Sequence, residues 1–158
     1  MDKQVLVASI FAGGKGDKEW CKIQSSFLDK TNPNYSLTKL AVVANDSEDI
    51  SLYKKYNYIV LKQNSNAHRP GIAAAFDYFK NQTNYPYLCL LDSDAWPIDP
   101  NWIDCCIEWS NYTTNANISK IGVAAFRPEN LDFFPHPCIF FVKREFIEKP
   151  RGFYNTEI

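Results

Sequence analysis

The stretch Tyr87-Leu-Cys-Leu-Leu-Asp-Ser-Asp-Ala-Trp-Pro97 decides the predicted fold. Its first five residues, 87–91, form an uninterrupted apolar run, which is typical of a strand covered on both faces inside a sheet. Asp92 and Asp94 follow the run directly. Two carboxylates at the end of a buried strand repel each other unless a cation or hydrogen-bond donors offset their charge. The stretch therefore favours a site for a hard divalent ion, Mn2+ or Mg2+, that also takes phosphate oxygens.

A simple turn is the alternative for residues 92–94. Asp92 would then bond its own backbone in an Asx-turn, and Asp94 would be solvated. Because Asp-x-Asp is common by chance, the metal site depends on the strand before it and on the polar segments elsewhere in the chain.

Length and composition predict one soluble domain over residues 1–158. Apolar residues make up 46% and charged residues 22%, which is ordinary for a globular protein. The net charge of −1 gives no reason to expect nucleic acid or an anionic membrane as a partner. No apolar run approaches the roughly 20 residues that span a bilayer, so we expect no transmembrane segment.

The cysteines and the start of the chain favour a cytoplasmic location. The five cysteines are odd in number and show no C-x-x-C spacing, which favours buried free thiols in a reducing compartment. The first residues lack a signal-peptide pattern. Five Asn-x-Ser/Thr sequences occur, at Asn34, Asn45, Asn81, Asn111 and Asn117. We interpret them as a result of an Asn-rich composition rather than as glycosylation sites.

Strand-like and helix-like segments alternate along the chain. Apolar runs predict strands at residues 5–11, 40–44, 58–61 and 87–91, and further strands at 121–126 and 138–142, before a helical turn at 145–148. Helical spacing predicts buried helix faces with Trp20, Ile23 and Phe27; Ile50, Tyr53 and Tyr56; Ile72, Phe76 and Phe79; and Trp102, Cys106 and Trp109. The alternation implies right-handed crossovers and an α/β fold with a mostly parallel sheet flanked by helices.

Capping residues mark where two of these helices are expected to begin. Asp17 is a suitable cap for the first helix. Asp99 and Pro100 form a suitable N-cap and N1 pair for the helix after the organising strand.

Polar segments follow four of the predicted strands. They lie around Gly13, Asp46, His68 and Asp92. In parallel sheets ligands bind beyond the carboxyl ends of the strands. The four segments therefore favour one shared site more strongly than any single motif does.

Several segments resemble the nucleotide-sugar half of GT-A glycosyltransferases, especially the inverting family 2 type. Val42-Val-Ala-Asn-Asp-Ser-Glu-Asp49 resembles the family's strand and Asp-rich base-binding turn. Asn66-Ala-His-Arg-Pro-Gly71 resembles its Asn-x-Gly helix start, and Leu90-Leu-Asp-Ser-Asp94 matches its DxD motif. The segment from His136 to Phe146, with Gly152-Phe153, is similar to the acceptor-side strand. The resemblance covers most of residues 5–153.

The resemblance implies a hexosyltransferase-type enzyme that moves a sugar from a nucleoside diphosphate sugar to an unknown acceptor, which is a glycan, a lipid or a protein. Residues 1 to about 110 would bind the donor, and about 111–158 would form a short acceptor side. Asp92 and Asp94 would hold Mn2+ or Mg2+. Nucleotide-sugar contacts would come from Asp46, Arg69, Gly71, Asp92 and Ser93.

Some of these residues have simpler alternative roles. Asp46 also suits a cap of the next helix, and Arg69 also suits a solvated surface position. His68 and His136 are interpreted as loop or packing residues rather than ligands.

Two departures from the family pattern leave other functions open. Ala12-Gly-Gly-Lys-Gly-Asp-Lys18 looks more like the phosphate loop of sugar-nucleotide pyrophosphorylases, where Lys15 or Lys18 would supply charge. The chain also ends at Ile158, where the family continues to a general base, and Glu157 is the only acid near that place. The catalytic residue is therefore unknown. A nucleotidyltransferase and a truncated, non-catalytic nucleotide-sugar-binding module remain as alternatives.

Overall fold

The computed structural model describes residues 3–12, 16–43, 49–63, 68–111, 122–125 and 136–147. The elements in these ranges are, in chain order, β1 (Gln4–Phe11), α1 (Asp17–Leu28), β2 (Ser36–Val43), α2 (Ser51–Lys55), β3 (Tyr58–Lys62), α3 (His68–Gln82), β4 (Tyr87–Asp92), α4 (Trp102–Asn111), β5 (Gly122–Ala125), β6 (His136–Lys143) and α5 (Arg144–Ile147). Every predicted strand and helix has a counterpart among them.

The strands form one six-stranded sheet in the order β3-β2-β1-β4-β6-β5. Strand β1 pairs in parallel with β2 and β4, and β2 pairs in parallel with β3. Strand β6 runs antiparallel to both β4 and β5. The prediction of an α/β fold with a mostly parallel sheet is confirmed.

Alternate residues of β1 face opposite layers of helices. Leu6, Ala8 and Ile10 belong to the core under α3, which contributes Ala75 and Phe79. The other face contacts α1 and α4 in a second core cluster that contains Val5, Val7, Leu28, Cys89, Leu91, Trp102, Ile103, Cys106 and Phe141. Because β1 is covered on both faces, its apolar run needs no polar alternation.

The buried face of α1 differs from the predicted one. The predicted Trp20 is 37% exposed, whereas the buried residues of the helix are Asp17, Cys21, Gln24, Ser25 and Leu28. The sheet face below α1 presents polar groups, among them the hydroxyls of Ser9 and Tyr58, and polar helix residues match them. The expected cap by Asp17 is also wrong, because Gly16 is the N-cap and Asp17 begins the helix.

Helix α4 corrects two further expectations. Trp109 was expected to be buried but is 59% exposed, because the buried face runs through Trp102, Ile103, Cys106 and Ser110. The helix begins at Trp102 rather than at Pro100. Asp99 instead stabilises the preceding turn, where its Oδ1 accepts a bond from the backbone N–H of Asn101 at 2.8 Å.

The expectation of buried thiols holds for three of the five cysteines. Cys21, Cys89 and Cys106 are buried, but Cys105 is exposed and Cys138 is half-buried. Burial raises the pKa of Cys106 to about 11, with a smaller contribution from Cys105. The Cys106 thiol is therefore in its neutral form at pH 7.

No helix within the described ranges is both long enough and apolar enough to cross a membrane.

Arg144, directly after β6, forms hydrogen bonds with the end of α3 and the segment that follows it. Its Nη2 donates to the carbonyls of Phe79 and Thr83 at 2.8 and 2.9 Å, and its Nε donates to the carbonyl of Tyr85 at 2.8 Å. The guanidinium carbon also lies 4.2 Å from the centre of the Phe79 ring. These bonds satisfy carbonyls at and after the end of α3 that have no partner within the helix.

We expect Arg144→Lys to lower the free energy of unfolding by about 2–3 kcal/mol, because an ammonium cannot reproduce the planar fork of donors. Chemical denaturation monitored by circular dichroism measures this change. Lys80→Ala, on the exposed face of α3, is the matched control and should change stability by less than about 0.5 kcal/mol. Equal stability of Arg144→Lys and the wild type would contradict the assigned role.

Candidate active site

The four parallel strands end at the same edge of the sheet. Their last residues are Phe11, Val43, Lys62 and Asp92. The first turn of α3 lies beyond β3 in the chain, and the turn after β4 carries the acidic pair. This is the edge at which parallel sheets bind ligands.

The acidic pair lies in a tight turn that begins at the last residue of β4. Asp92 and Ser93 are half-buried, and Asp94 is exposed. The backbone N–H of Ala95 donates to the carbonyl of Asp92 at 3.0 Å and closes the turn. Trp96, directly after it, stacks on Phe27 of α1 with ring centres 6.0 Å apart and an interplanar angle of 18°.

Gln24 of α1 forms hydrogen bonds with the backbone of the same turn. This residue is fully buried, and its Nε2 donates to the carbonyls of Asp92 at 3.0 Å and Ala95 at 2.8 Å. Its Oε1 accepts bonds from the hydroxyls of Ser9 and Tyr58, each at 2.9 Å. All four hydrogen-bonding positions of the amide are therefore used.

Burial keeps Tyr58 in its protonated form. Desolvation, followed by the nearby Cys21 and Asp29, raises the pKa of Tyr58 far above its ordinary value. The phenol therefore remains a hydrogen-bond donor to Gln24 throughout the physiological pH range.

Gly71 brings the start of α3 against β1. A Cβ placed on Gly71 would lie 2.8 Å from Cγ2 of Ile10 and 3.0 Å from Nε2 of Gln63. Ile10 is also the residue of β1 that pairs with Asp92. The first turn of α3 and the acidic turn therefore flank the same residue.

The remaining predicted residues are placed as follows. Arg69 is exposed in the first turn of α3, two residues before Gly71. Lys18 is exposed on α1. The backbones of His68 and His136 begin α3 and β6. Asp46, the loop 13–15 and Glu157 lie outside the described residues.

The donor set is suited to an ion shared with a substrate. Across the ranges that the structure describes, no cluster of three or more His, Cys, Asp or Glu side chains is arranged to hold a metal. Mg2+ and similar ions are commonly held by one or two carboxylates together with substrate phosphates. Asp92 and Asp94 on a turn with a fixed backbone fit that type of binding, and they do not fit a closed, all-protein site.

Gln24 and Gln63 are not identified by any apolar pattern in the sequence. The 3-4 spacing of Cys21, Gln24 and Leu28, with Ser25 beside them, marks a helix face, but a periodicity of apolar residues does not reveal a face with polar members. The buried Nε2 of Gln63 has no hydrogen-bond partner in the structure described here. No pattern in the sequence distinguishes it from an ordinary loop glutamine.

Comparison with known proteins supports the fold. No protein-family model matches the chain, and no curated protein matches it. Among solved structures, it is similar to a mannosyltransferase from Pyrobaculum calidifontis in complex with GDP-Man and Mn2+, with a TM-score of 0.65 and 16% identity over 95% of this chain and 47% of that one. A structure of S. aureus TarS, residues 1–349, matches 60% of this chain and 28% of its own at 16% identity, with a TM-score of 0.44.

The likeness to the mannosyltransferase shows that the chain has a GT-A glycosyltransferase fold. The chain spans about half, 47%, of the length of that enzyme. The predicted resemblance to GT-A proteins is thereby confirmed at the level of the fold.

We expect Gly71→Ala to lower the free energy of unfolding by about 1–3 kcal/mol, because the added methyl group overpacks the contact with Ile10. In an Ile10→Ala background, which removes the clashing Cγ1 and Cγ2 atoms, the same substitution should cost less. Denaturation of both single variants and the double variant measures the coupling. Strictly additive effects would show that the helix start does not depend on this contact.

Proposed function

We propose that the chain is the donor-binding part of a metal-dependent glycosyltransferase of the hexosyltransferase type. It would transfer a sugar from a nucleoside diphosphate sugar to an acceptor that is a glycan, a lipid or a protein. The observation that carries the proposal is the acidic turn, residues 92–94, at the carboxyl edge of a GT-A sheet. The mannosyltransferase that shares the fold is in complex with GDP-Man and Mn2+, which supports a donor of this class and a divalent ion.

The predicted site residues act in this proposal as metal ligands or as contacts to the donor, according to their side chains. Asp92 and Asp94 hold Mn2+ or Mg2+ through carboxylate oxygens. When bound, the ion supplies positive charge that stabilises the nucleoside diphosphate as it leaves. Ser93 offers a hydroxyl beside the donor. Asp46 recognises the base, as the family resemblance implies.

The start of α3 provides a second source of attraction for the diphosphate. The unpaired N–H groups of a helix N-terminus favour anions, and Arg69 adds a guanidinium in the same turn. Gly71 lets this turn approach β1 closely, which places it next to the strand that pairs with Asp92. The general base and the acceptor site are not assigned.

The state of the cysteines supports the predicted cytoplasmic location. All five lie within the described ranges and none of them forms a disulfide, although Cys105 is exposed and Cys138 is half-buried. Unpaired cysteines are usual in reducing compartments. Measurement of free thiols in protein isolated from its native source checks this part of the proposal.

Calorimetric titration with UDP and GDP, with and without Mn2+, tests donor binding. We expect Mn2+ to strengthen binding of at least one of them, and Asp94→Asn to remove about 10-fold or more of that gain because it removes a carboxylate ligand. Asp77→Asn, which neutralises an exposed carboxylate on α3, is the matched control and should bind as the wild type does. An unchanged gain in Asp94→Asn would exclude the metal role of Asp94.

Product analysis separates transfer from the two alternatives. Release of UDP or GDP from sugar nucleotides supports a transferase, whereas pyrophosphate release from a nucleoside triphosphate and a sugar phosphate would support a nucleotidyltransferase. Manganese-dependent binding without turnover across a panel of donors and acceptors would favour a binding module.

A further inference from the structure

Gln24 connects the acidic turn to two other strands through one side chain. Its Nε2 donates to the carbonyls of Asp92 and Ala95, and its Oε1 accepts from the hydroxyls of Ser9 and Tyr58. Ser9 lies on β1 and Tyr58 on β3. One buried amide therefore ties the turn after β4 to two strands of the sheet.

The two carbonyls that Gln24 holds are those at the two ends of the turn. They belong to the residues that flank Ser93 and Asp94, so the backbone between them is fixed from both sides. Both carbonyl oxygens are directed to the amide nitrogen, at 3.0 and 2.8 Å. Each carbonyl oxygen therefore has a hydrogen-bond donor inside the protein, and the side chains of Asp92 and Asp94 are the anionic groups of this turn.

The orientation of the amide is determined by its partners. A rotated amide would bring Oε1 against two carbonyl oxygens, which cannot donate a hydrogen bond to it. That arrangement would take the amide donors away from both carbonyl oxygens and set like acceptors against each other, which is unfavourable for buried groups. The hydroxyls of Ser9 and Tyr58 occupy the other end of the side chain, so the amide has one favourable position.

We propose that Gln24 is a positioning residue that sets the affinity of the acidic turn for a divalent ion bound with a nucleoside diphosphate. The inference rests on the proposed function. Gln24 is fully buried, so it would act on a bound ion through the backbone of residues 92–95 rather than by direct contact. Groups that hold metal ligands in place typically change metal affinity by about 10- to 100-fold when they are removed.

A purely structural role for Gln24 predicts a different result. Loss of a buried, fully bonded amide would then lower stability without a selective effect on the ion. The informative quantity is the manganese gain, which we define as the dissociation constant of GDP or UDP without Mn2+ divided by that with Mn2+. A positioning role lowers this ratio, whereas general destabilisation of a protein that remains folded does not.

Two substitutions remove the donors from the turn in different ways. Gln24→Glu keeps the side-chain shape and the acceptor for Ser9 and Tyr58 but places oxygen against the two carbonyls. Gln24→Met keeps the length and removes all four hydrogen bonds. Ser25→Ala is the matched control, because Ser25 is the next buried polar residue of α1 and bonds Lys39 and Tyr56 rather than the turn.

The experiment measures thermal unfolding and the manganese gain for each variant by calorimetry, with Mn2+ electron paramagnetic resonance as a direct measure of bound ion. We expect both Gln24 variants to lose about 10- to 100-fold of the gain while metal-free nucleotide affinity stays unchanged. Ser25→Ala should keep the wild-type gain despite lower stability. Tyr58→Phe removes one of the two hydrogen bonds to Oε1 of Gln24 and should lose about 2- to 10-fold of the manganese gain. This variant replaces the Gln24 variants in the test if those do not fold.

Two different failures can be told apart. If the wild type shows no manganese gain with any nucleotide, the proposed function falls and this inference falls with it. If the wild type shows a gain that persists in the folded Gln24 variants, or in Tyr58→Phe when those do not fold, only the inference about Gln24 is overturned.

Discussion

The structure depends on the parallel pairing of β1 with β2 on one side and with β4 on the other. The register places Ile10 opposite Val42 and Asp92. Parallel pairing requires crossover connections, so helices cover both faces and all four parallel strands end at one edge. The apolar run that buries β1 thus also brings the carboxyl ends of β1, β2, β3 and β4 to one edge of the sheet.

Part of the layer between the sheet and α1 is polar where an ordinary core would be apolar. Ser9, Gln24 and Tyr58 satisfy one another there. Lys39 is 7% exposed and lies beside them, bonded to Asp29 at 2.7 Å and to Ser25 at 2.8 Å. Buried polar groups of this kind are stable only when all are paired, and a shift of α1 would leave several without partners. The layer therefore fixes the position of α1 and, through Gln24, the backbone of the acidic turn.

The sequence predicted the order of the elements and the sheet edge, because apolar runs and helical spacing report burial directly. It failed for α1, where Cys21, Gln24 and Leu28 face the sheet in place of Trp20. A periodicity of apolar residues cannot reveal a helix face whose partners are polar. Trp109 failed for a related reason: helical spacing identifies a set of aligned residues but not which neighbouring element covers it.

The candidate site was predictable to a similar extent. Motif and position predict Asp92, Ser93, Asp94 and Gly71 as site residues, and their role stays a prediction. The structure places Asp92 and Gly71 next to Ile10. The hydrogen bonds from Gln24 to the turn were not predictable, because its partners Asp92 and Ala95 lie 68 and 71 positions away in the sequence. Contacts at such separations are determined by tertiary packing alone.

In the proposed function, the acidic turn after β4 binds a divalent ion shared with a nucleoside diphosphate. Anomalous X-ray diffraction from crystals grown with Mn2+ and GDP or UDP tests it most directly. We expect one manganese peak within coordination distance of a carboxylate oxygen of Asp92 or Asp94 and of a phosphate oxygen. A nucleotide bound elsewhere, or a manganese ion held away from both carboxylates, would contradict it.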